Sequence, residues 1–490
     1  MDYHFYFVSG SQDLYGEECI RHVKEHSIEI VDGLNKSKEI CFPVEYKGTM
    51  LTSSEIADFF NKANSDKNCA GIILWMHTFS PAKNWIKGLK ICNKPICHLH
   101  TQFNRDLPFS TIDMDFMNEN QSAHGDREFG YIMTRMNIPR EVIVGHWKSP
   151  DVCRKIGSWM KSAIGVVASS DVRICRFADN MRSVAVTEGD KIEAQIKFGW
   201  TVDTYSINDV AKYVENVSSI EIKALTDEYY VKYKILDDGR NLDELRKSVE
   251  VQAAIEIGFE RFLKEHNYNA VVTHFDDLGS LKQLPGLAMQ RLMEKGYGFG
   301  AEGDWKTAGL VRLMKVMSQN HGTSFFEDYT YNLAEGEEAV LESHMLEVCP
   351  TVASGEISIR VCPLTMGGKE DPARLVFTSR IGSAIAVSMI DLGSRFRLIV
   401  SEVDCIPVPE PMPRLPVASA YWRPRPDLSV GAEAWILAGG AHHTAFSYEI
   451  TSSEIASWAE YMGIECVVIG KDTKIADFKD RLKWNSAFYR

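Results

Sequence analysis

The sequence contains no CxxC pair, and its 11 cysteines are an odd number scattered from Cys19 to Cys466. That argues against a disulfide framework and for buried, reduced thiols in a cytoplasmic setting. Positive charge is in deficit. Lys and Arg total 54 against 67 Asp and Glu, and the net charge of −13 excludes a broad nucleic-acid surface. Long apolar runs are missing as well. The longest uncharged one, "IGSAIAVSMI" at 381–390, falls well short of the about 20 residues needed to span a bilayer. The opening "MDYHFYFVSG" has no basic segment ahead of an apolar one and does not read as a signal peptide. Repeats and low-complexity tails are absent too. What remains is an ordinary soluble composition, 45% hydrophobic and 25% charged over 490 residues. At about 150 residues per domain, that length predicts roughly two to four domains, with a core that needs no staple.

The first third alternates strand and helix patterns. "HFYFVSG" (4–10), "AGIILWM" (70–76), "PICHLH" (95–100) and "EVIVGH" (141–146) are short, β-branched or aromatic, and end in turn or polar residues. "EECIRHVKEHSIEIVDGL" and "SSEIADFFNKAN" carry helical spacing between them, the second opening on a Ser cap. Such alternation predicts parallel strands joined by crossover helices. A second unit of the same kind begins near "DVRICRFADNM" (171–181). It has a long helix around 243–266, a strand "NAVVTHF" (269–275), and helices around 283–295 and 304–318. After about residue 322, "HMLEVCP", "EISIRVCP", "ARLVFTS", "SAIAVSMI" and "RFRLIVSEVD" read as successive strands, which predicts an antiparallel sheet or barrel. Seven of the 17 prolines fall between 407 and 426, so that stretch is extended and stiff. The expected organisation is α/β: an N-terminal α/β domain (1–170), a central α/β domain (171–322), both Rossmann-like with parallel sheets, and a mainly antiparallel, barrel-like C-terminal β domain (323–490).

Four stretches carry residues suited to chemistry. "GYGFGAEGDWK" (296–306) contains a formal GxGxxG at Gly298, Gly300 and Gly303. A dinucleotide turn needs a strand just before it, and "LAMQRLMEKG" reads as a helix. What stands out is Glu302, a carboxylate among glycines just ahead of a helix. "GTSFFEDYTY" (322–331) sets Glu327 and Asp328 among aromatics, where desolvation raises a carboxylate's pKa unless a cation offsets it. "LESHMLEVCP" (341–350) reads as a strand with His344, Leu346 and Val348 on one face, turning Glu347 away from His344. In "LAGGAHHTAF" (437–446), small residues lead into His442 and His443, which point to opposite sides if the backbone is extended.

These segments, in this order, resemble the L-arabinose isomerases. The resemblance covers nearly the whole chain, through "GSQDLYG" (10–16), "WMHTFSPAK" (75–83), "HTQFN" (100–104), "DMDFMN" (113–118), "AHGDREFG" (123–130), "CRFADNMR" (175–182), "LKQLPGLA" (281–288), "AEGDWKT" (301–307), "SFFEDYTY", "SHMLEVCP", "GGKEDPARL" (367–375) and "AWILAGGAHHT" (434–444). It implies a three-part fold like the one read above. It also implies Glu302, Glu327, His344 and His443 as ligands of one Mn²⁺ per subunit, a mixed oxygen and imidazole set that suits such an ion. Glu302 and Glu327 double as the catalytic acid and base. The sugar site is implied at Gln12, Leu14, Tyr15, His124, Met181, Phe275 and Met366. The implied activity is conversion of L-arabinose to L-ribulose through a cis-enediol, in a cytoplasmic trimer or hexamer whose active sites are shared between subunits. A hydride shift, a galactose- or fucose-type substrate and a non-catalytic sugar-binding role stay open. The chain departs from the familiar pattern at Ala178 and Asp126, where glycine is usual, in "THFDDLGS" (273–280), and at Met366.

Overall fold

A computed structural model describes residues 2–364 and 368–489. The chain forms two compact units, Met1–Val167 and Ala168–Arg490.

The first unit is built on a five-stranded, wholly parallel sheet: β1 (His4–Gly10), β2 (Val44–Met50), β3 (Cys69–Met76), β4 (Ile96–His100) and β5 (Glu141–Val144), in the order β2-β1-β3-β4-β5. Every residue of β3 is buried, as expected of a central strand covered on both faces. Helix Ser53–Ser65 packs Ile56, Phe59 and Phe60 into the same core as Ile72, Leu74 and Trp85. Its cap is Thr52, not the Ser that follows. Thr52 and Glu55 form a reciprocal capping box that satisfies two end N–H groups. Asp126 is buried and holds two histidines of β4, with His98 Nε2 at 2.9 Å and His100 Nδ1 at 2.7 Å. The carboxylate that replaces the familiar glycine is thereby fully partnered.

The second unit contains two sheets. The smaller is parallel, in the order β10-β9-β6-β7, from β6 (Arg173–Phe177), β7 (Thr201–Tyr205), β9 (Ala270–Val272) and β10 (Gly298–Gly300). The glycine run lies on β10 itself. A Cβ at Gly298 would meet the Ala308 carbonyl at 2.2 Å and one at Gly300 the Asp304 carbonyl at 2.3 Å. These glycines therefore let helix Trp305–Met317 lie directly against the strand.

The larger sheet begins with the two-residue β8 (Lys234–Ile235) and continues with β11 (Thr323–Asn332), β12 (Ala339–Ser343), β13 (Ala353–Val361), β14 (Ala373–Ser379), β15 (Gly382–Asp391), β16 (Phe396–Cys405), β17 (Ser419–Pro424), β18 (His443–Ser447) and β19 (Glu465–Ile469). Ten strands run in the order β19-β16-β15-β18-β11-β12-β17-β14-β13-β8, and β16 also pairs with β17. That extra pairing closes six strands into an antiparallel barrel, as the sequence pattern predicts. The expected strand over 341–350 stops at Ser343, and residues 344–348 leave the sheet. Among the described residues, no helix is long and apolar enough to cross a membrane.

The barrel interior is apolar, with Phe326, Val403, Trp422 and Phe446 in one cluster, yet it contains the fully buried Glu342. Trp422 Nε1 and Thr444 Oγ1 donate to its two oxygens at 2.9 and 2.8 Å. Asp328 lies opposite on β11, in register with Glu342. Burial, aided by the Glu327 charge, pushes the Asp328 carboxyl up to about 7. Burial and then Asp328 raise Glu342 well above the usual range. The pair shares a proton because two buried like charges cannot both ionise. A raised folded pKa means the native state holds a proton that the unfolded chain releases. This contribution is full at acid pH and is lost as pH rises through the folded value. Glu342→Gln removes the carboxyl that burial and Asp328 raise well above the usual range, and with it this pH-dependent loss. The melting temperature of the parent chain should therefore fall relative to Glu342→Gln as pH is raised from about 4 to about 7. A constant difference across that window would show that the two carboxyls do not share a proton.

Candidate active site

Three neighbouring strands and one turn build the site. Glu327 on β11 stands in register with His443 on β18 and, on its other side, with Ser343 at the end of β12. The next residue, His344, thus arrives beside Glu327, with Nε2 3.7 Å from Glu327 Oε2. Alternation along β11 sends Phe325 and Glu327 to this face and Phe326 and Asp328 into the barrel. The Phe325 ring packs against both imidazoles, with centroids 4.8 Å from His344 and 5.2 Å from His443.

Glu302 comes from the turn between β10 and helix Trp305–Met317. It adopts φ 56°, and Gly303 follows at φ 82°. A Cβ at Gly303 would sit 2.4 Å from the Asn180 Cα, so glycine is required for space as well as for backbone angle. Met181 N–H donates to the Glu302 carbonyl at 3.0 Å, clamping the turn to the loop that follows β6. In that loop Ala178 takes φ 65°, a left-handed conformation that favours the glycine familiar at this position.

The histidines are oriented from behind by carboxylates. Asp304 Oδ2 lies 3.2 Å from His443 Nδ1, and Glu347 Oε2 lies 2.6 Å from His344 Nδ1. Each contact ties down one ring nitrogen and turns the other, Nε2, toward Glu302 or Glu327. Burial alone would raise the Asp304 carboxyl. The Lys306 ammonium at 3.3 Å, then His443 and the Thr307 hydroxyl, hold it far below the usual range instead. Asp304 also caps helix Trp305–Met317 by accepting from Thr307 N. The Asp-x-x-Thr spacing in "GDWKT" is the sequence signal for that cap. Glu347 left no such signal, because the strand reading turned it away from His344. Once residues 344–348 leave the sheet, alternation no longer governs them.

His443 Nε2 is buried with no hydrogen-bond partner and lies 3.9 Å from Glu302 Oε2. His442 Nε2 is 3.4 Å from the same oxygen. The sequence expectation separates the two histidines. The structure brings both to Glu302, because β18 begins only at His443 and His442 sits in the bend before it. Donor atoms of Glu302, His442 and His443 lie within 4.8 Å of one another. The His344 and His443 ring centroids are 6.1 Å apart.

Charges follow this packing. Burial would push the Glu302 carboxyl up, but the His442 hydrogen bond and the imidazoles of His443, His442 and His344 bring it below its ordinary value. The hydrogen bond to Glu302 in turn raises His442. Burial lowers His344, but Glu347, Glu327 and Glu302 outweigh it and the net shift is upward. An orphaned buried imidazole nitrogen facing carboxylates fits a divalent cation, which would satisfy the lone pairs together.

The remaining sugar-site expectations divide between the units. Met181 and Phe275 lie in the second unit, both partly buried, on loops that touch the Glu302 turn. Met181 donates to Glu302, and two residues before Phe275 the Thr273 carbonyl accepts from Gly303 N at 3.4 Å. Gln12, Leu14, Tyr15 and His124 lie in the first unit. Leu14 is 83% exposed on the short turn after β1. Tyr15 OH donates to Gln121 Oε1 at 3.3 Å, and His124 packs on Phe79 in helix Ser122–Arg135. Met366 lies outside the described residues.

Three family models cover the chain: the L-arabinose isomerase N-terminal domain at residues 1–171, the central domain at 173–320, and the C-terminal domain at 322–465. An L-arabinose isomerase of Geobacillus stearothermophilus is 55% identical over 488 residues, covering 100% of this chain and 98% of its own length. One of Halalkalibacterium halodurans is 53% identical with the same coverage, and one of Clostridium beijerinckii is 52% identical over 100% of this chain and 99% of its own. Three matching family models and full-length likeness at this level show that the chain belongs to the L-arabinose isomerase family.

Proposed function

We propose that the chain interconverts L-arabinose and L-ribulose with one divalent cation per subunit, preferentially Mn²⁺, held by Glu302, Glu327, His344 and His443. The observation that carries this reading is two carboxylate–imidazole pairs, Glu327 with His344 and Glu302 with His443, each imidazole oriented by its own acidic partner. A bound cation supplies Lewis-acid stabilisation of the oxygen charge that develops as the weakly acidic C2 proton leaves. Glu302, held below its ordinary pKa by its imidazoles, is ionised at neutral pH and ready to accept a proton. Glu327, beside His344, completes the acid–base pair: one carboxylate takes the C2 proton as the other carboxyl protonates O1 to give a cis-enediol, and C1 is then protonated as the O2 proton is returned. Asp304 and Glu347 keep His443 and His344 in the tautomers that present Nε2. His442, partly exposed and hydrogen-bonded to Glu302, balances the charge of that carboxylate as the proton moves. The free cysteines suit a reducing cytoplasm. The same chemistry on a galactose- or fucose-type aldose is the alternative, to be decided by product analysis over a panel of sugars.

Exhaustive chelation should abolish activity, and Mn²⁺ should restore it better than Mg²⁺ or Zn²⁺. Full turnover by a preparation shown to be free of metal would refute the cation's role. His443→Ala should lose both metal affinity and activity. His442→Ala should keep most of the affinity and lose turnover more mildly.

Either Glu302→Gln or Glu327→Gln should cost at least ~10²-fold in kcat, the usual scale for a positioned acid or base. Solvent deuterium should appear at C1 of the product. Retention of the substrate's own C2 hydrogen with no solvent label would replace the enediol route by a hydride shift.

From the family resemblance we propose a homo-oligomer, trimeric or hexameric, whose subunits share the complete site, one supplying Gln12, Leu14, Tyr15 and His124 and another the cation ligands; a folded-back contact within one chain is the alternative. Mixing the inactive Tyr15→Ala/His124→Ala and Glu302→Gln proteins under subunit exchange should then restore part of the activity. Mixed oligomers without any recovery would place each site within one chain.

A further inference from the structure

The first unit contains a second group of metal-type donors, unused by the chemistry above. His22 and His26 are four residues apart on helix Gly16–Lys36 and therefore share a face. His77 directly follows β3, at the carboxyl end of the sheet, where open α/β sheets present their ligand sites. Glu119 ends helix Met114–Glu119. His26 Nδ1 lies 2.7 Å from His77 Nε2 and 3.8 Å from Glu119 Oε1. One donor atom from each of the three residues falls within 4.8 Å of the others.

We propose that His26, His77 and Glu119 form a second divalent-cation site, selective for an imidazole-preferring first-row ion such as Zn²⁺ or Co²⁺. Hydrogen bonding alone leaves this group poorly served. His77 is fully buried, its Nδ1 has no hydrogen-bond partner, and its Nε2 meets His26 Nδ1 at 2.7 Å. A single N–H serves the contact between the two rings, and the Glu119 oxygen faces His26 Nδ1 at 3.8 Å, beyond hydrogen-bond reach. A cation satisfies both imidazole lone pairs and the carboxylate together.

The surroundings hold the donors in place. The His26 ring stacks on Phe103 at 3.6 Å and 9°, and the His77 ring on Trp75 at 4.3 Å and 16°. Neither ring can swing away without losing its stack. Arg21 Nη2 lies 3.0 Å from His22 Nε2, and a guanidinium only donates. The His22 proton is therefore on Nδ1, which donates to Glu119 Oε2 at 3.0 Å. That leaves Oε1 for the ion, with His22 as an outer orienting partner of the kind that metal-binding carboxylates keep. With bonds of about 2.1 Å, the two nitrogens subtend ~80° and the His26–Glu119 pair ~130°, values that bracket the tetrahedral angle. Two His and one Glu, with a fourth position open to water, is a familiar donor set for zinc. His22, His26 and Glu119 are each partly exposed, which gives an ion a way in.

The test uses the full-length chain carrying Glu302→Gln and His443→Ala, which removes two of the four proposed ligands of the second unit. After stripping, this protein should bind one equivalent of Co²⁺, read by visible d–d absorption and by metal analysis, with a rise in melting temperature because the ion binds the folded state. Adding His77→Gln should abolish that binding. Glu119→Gln, a change at a partly exposed side chain that leaves the fold intact by circular dichroism, should weaken it at least ~10-fold, and His22→Ala should do so by ~10-fold through the outer contact. The proposal is overturned if the folded background protein takes up neither Co²⁺ nor Zn²⁺. It is equally overturned if Glu119→Gln leaves the affinity unchanged.

Discussion

Everything at the proposed catalytic centre depends on the register of β11 between β18 and β12. Glu327 pairs with His443 on one side and with Ser343 on the other, so three segments more than a hundred residues apart at their extremes arrive at one level. A slip of one residue would exchange the faces of β11. Phe326 and Asp328 would then meet the imidazoles, and Phe325 and Glu327 would enter the barrel. The barrel cluster around Phe326 and Phe446, together with the Glu342 contacts to Trp422 and Thr444, makes that slip costly. Packing inside the barrel thus fixes which side chains of β11 stand outside it.

Much of this was legible in the sequence, for identifiable reasons. β1 coincides with "HFYFVSG" and β3 with "AGIILWM" plus one residue, because short parallel strands buried on both faces leave mainly apolar runs. The antiparallel character after residue 322 was legible from strands that follow one another with no helical pattern between them. The position of Glu302 was flagged by its glycines, although their packing role against helix Trp305–Met317 needed coordinates. Three features were not legible. Glu347 behind His344 was hidden by a strand pattern that ends at Ser343. The convergence of His442 and His443 on Glu302 was hidden because the bend before β18 has no compositional mark. The barrel closure through β16 and β17 is a long-range pairing that periodicity does not encode.

The four carboxylates near this register illustrate how position outweighs residue type. Glu302 and Asp304 are two residues apart, and both are held ionised, the first by imidazoles and the second by Lys306 and His443. Asp328 is one residue from Glu327, yet it faces an interior whose nearest polar group is another carboxyl, and it is pushed up to about 7. The sequence pattern of an acid among aromatics correctly announced a desolvated carboxyl. Which of Glu327 and Asp328 it was followed only from strand parity.

The same logic separates the two histidine clusters. In the second unit His344 and His443 each have a carboxylate behind the ring, and the His344 pKa is raised as a result, so protons compete with any cation for Nε2. In the first unit His26 and His77 are stacked on aromatic rings and face one another, so burial wins and both are kept neutral. An imidazole that is already neutral costs no deprotonation on binding an ion. A site of that kind is rigid and weakly coupled to pH. One whose ligands exchange protons with neighbouring carboxylates is suited to chemistry in which a proton must move. The electrostatic difference between the clusters follows from what stands behind each ring.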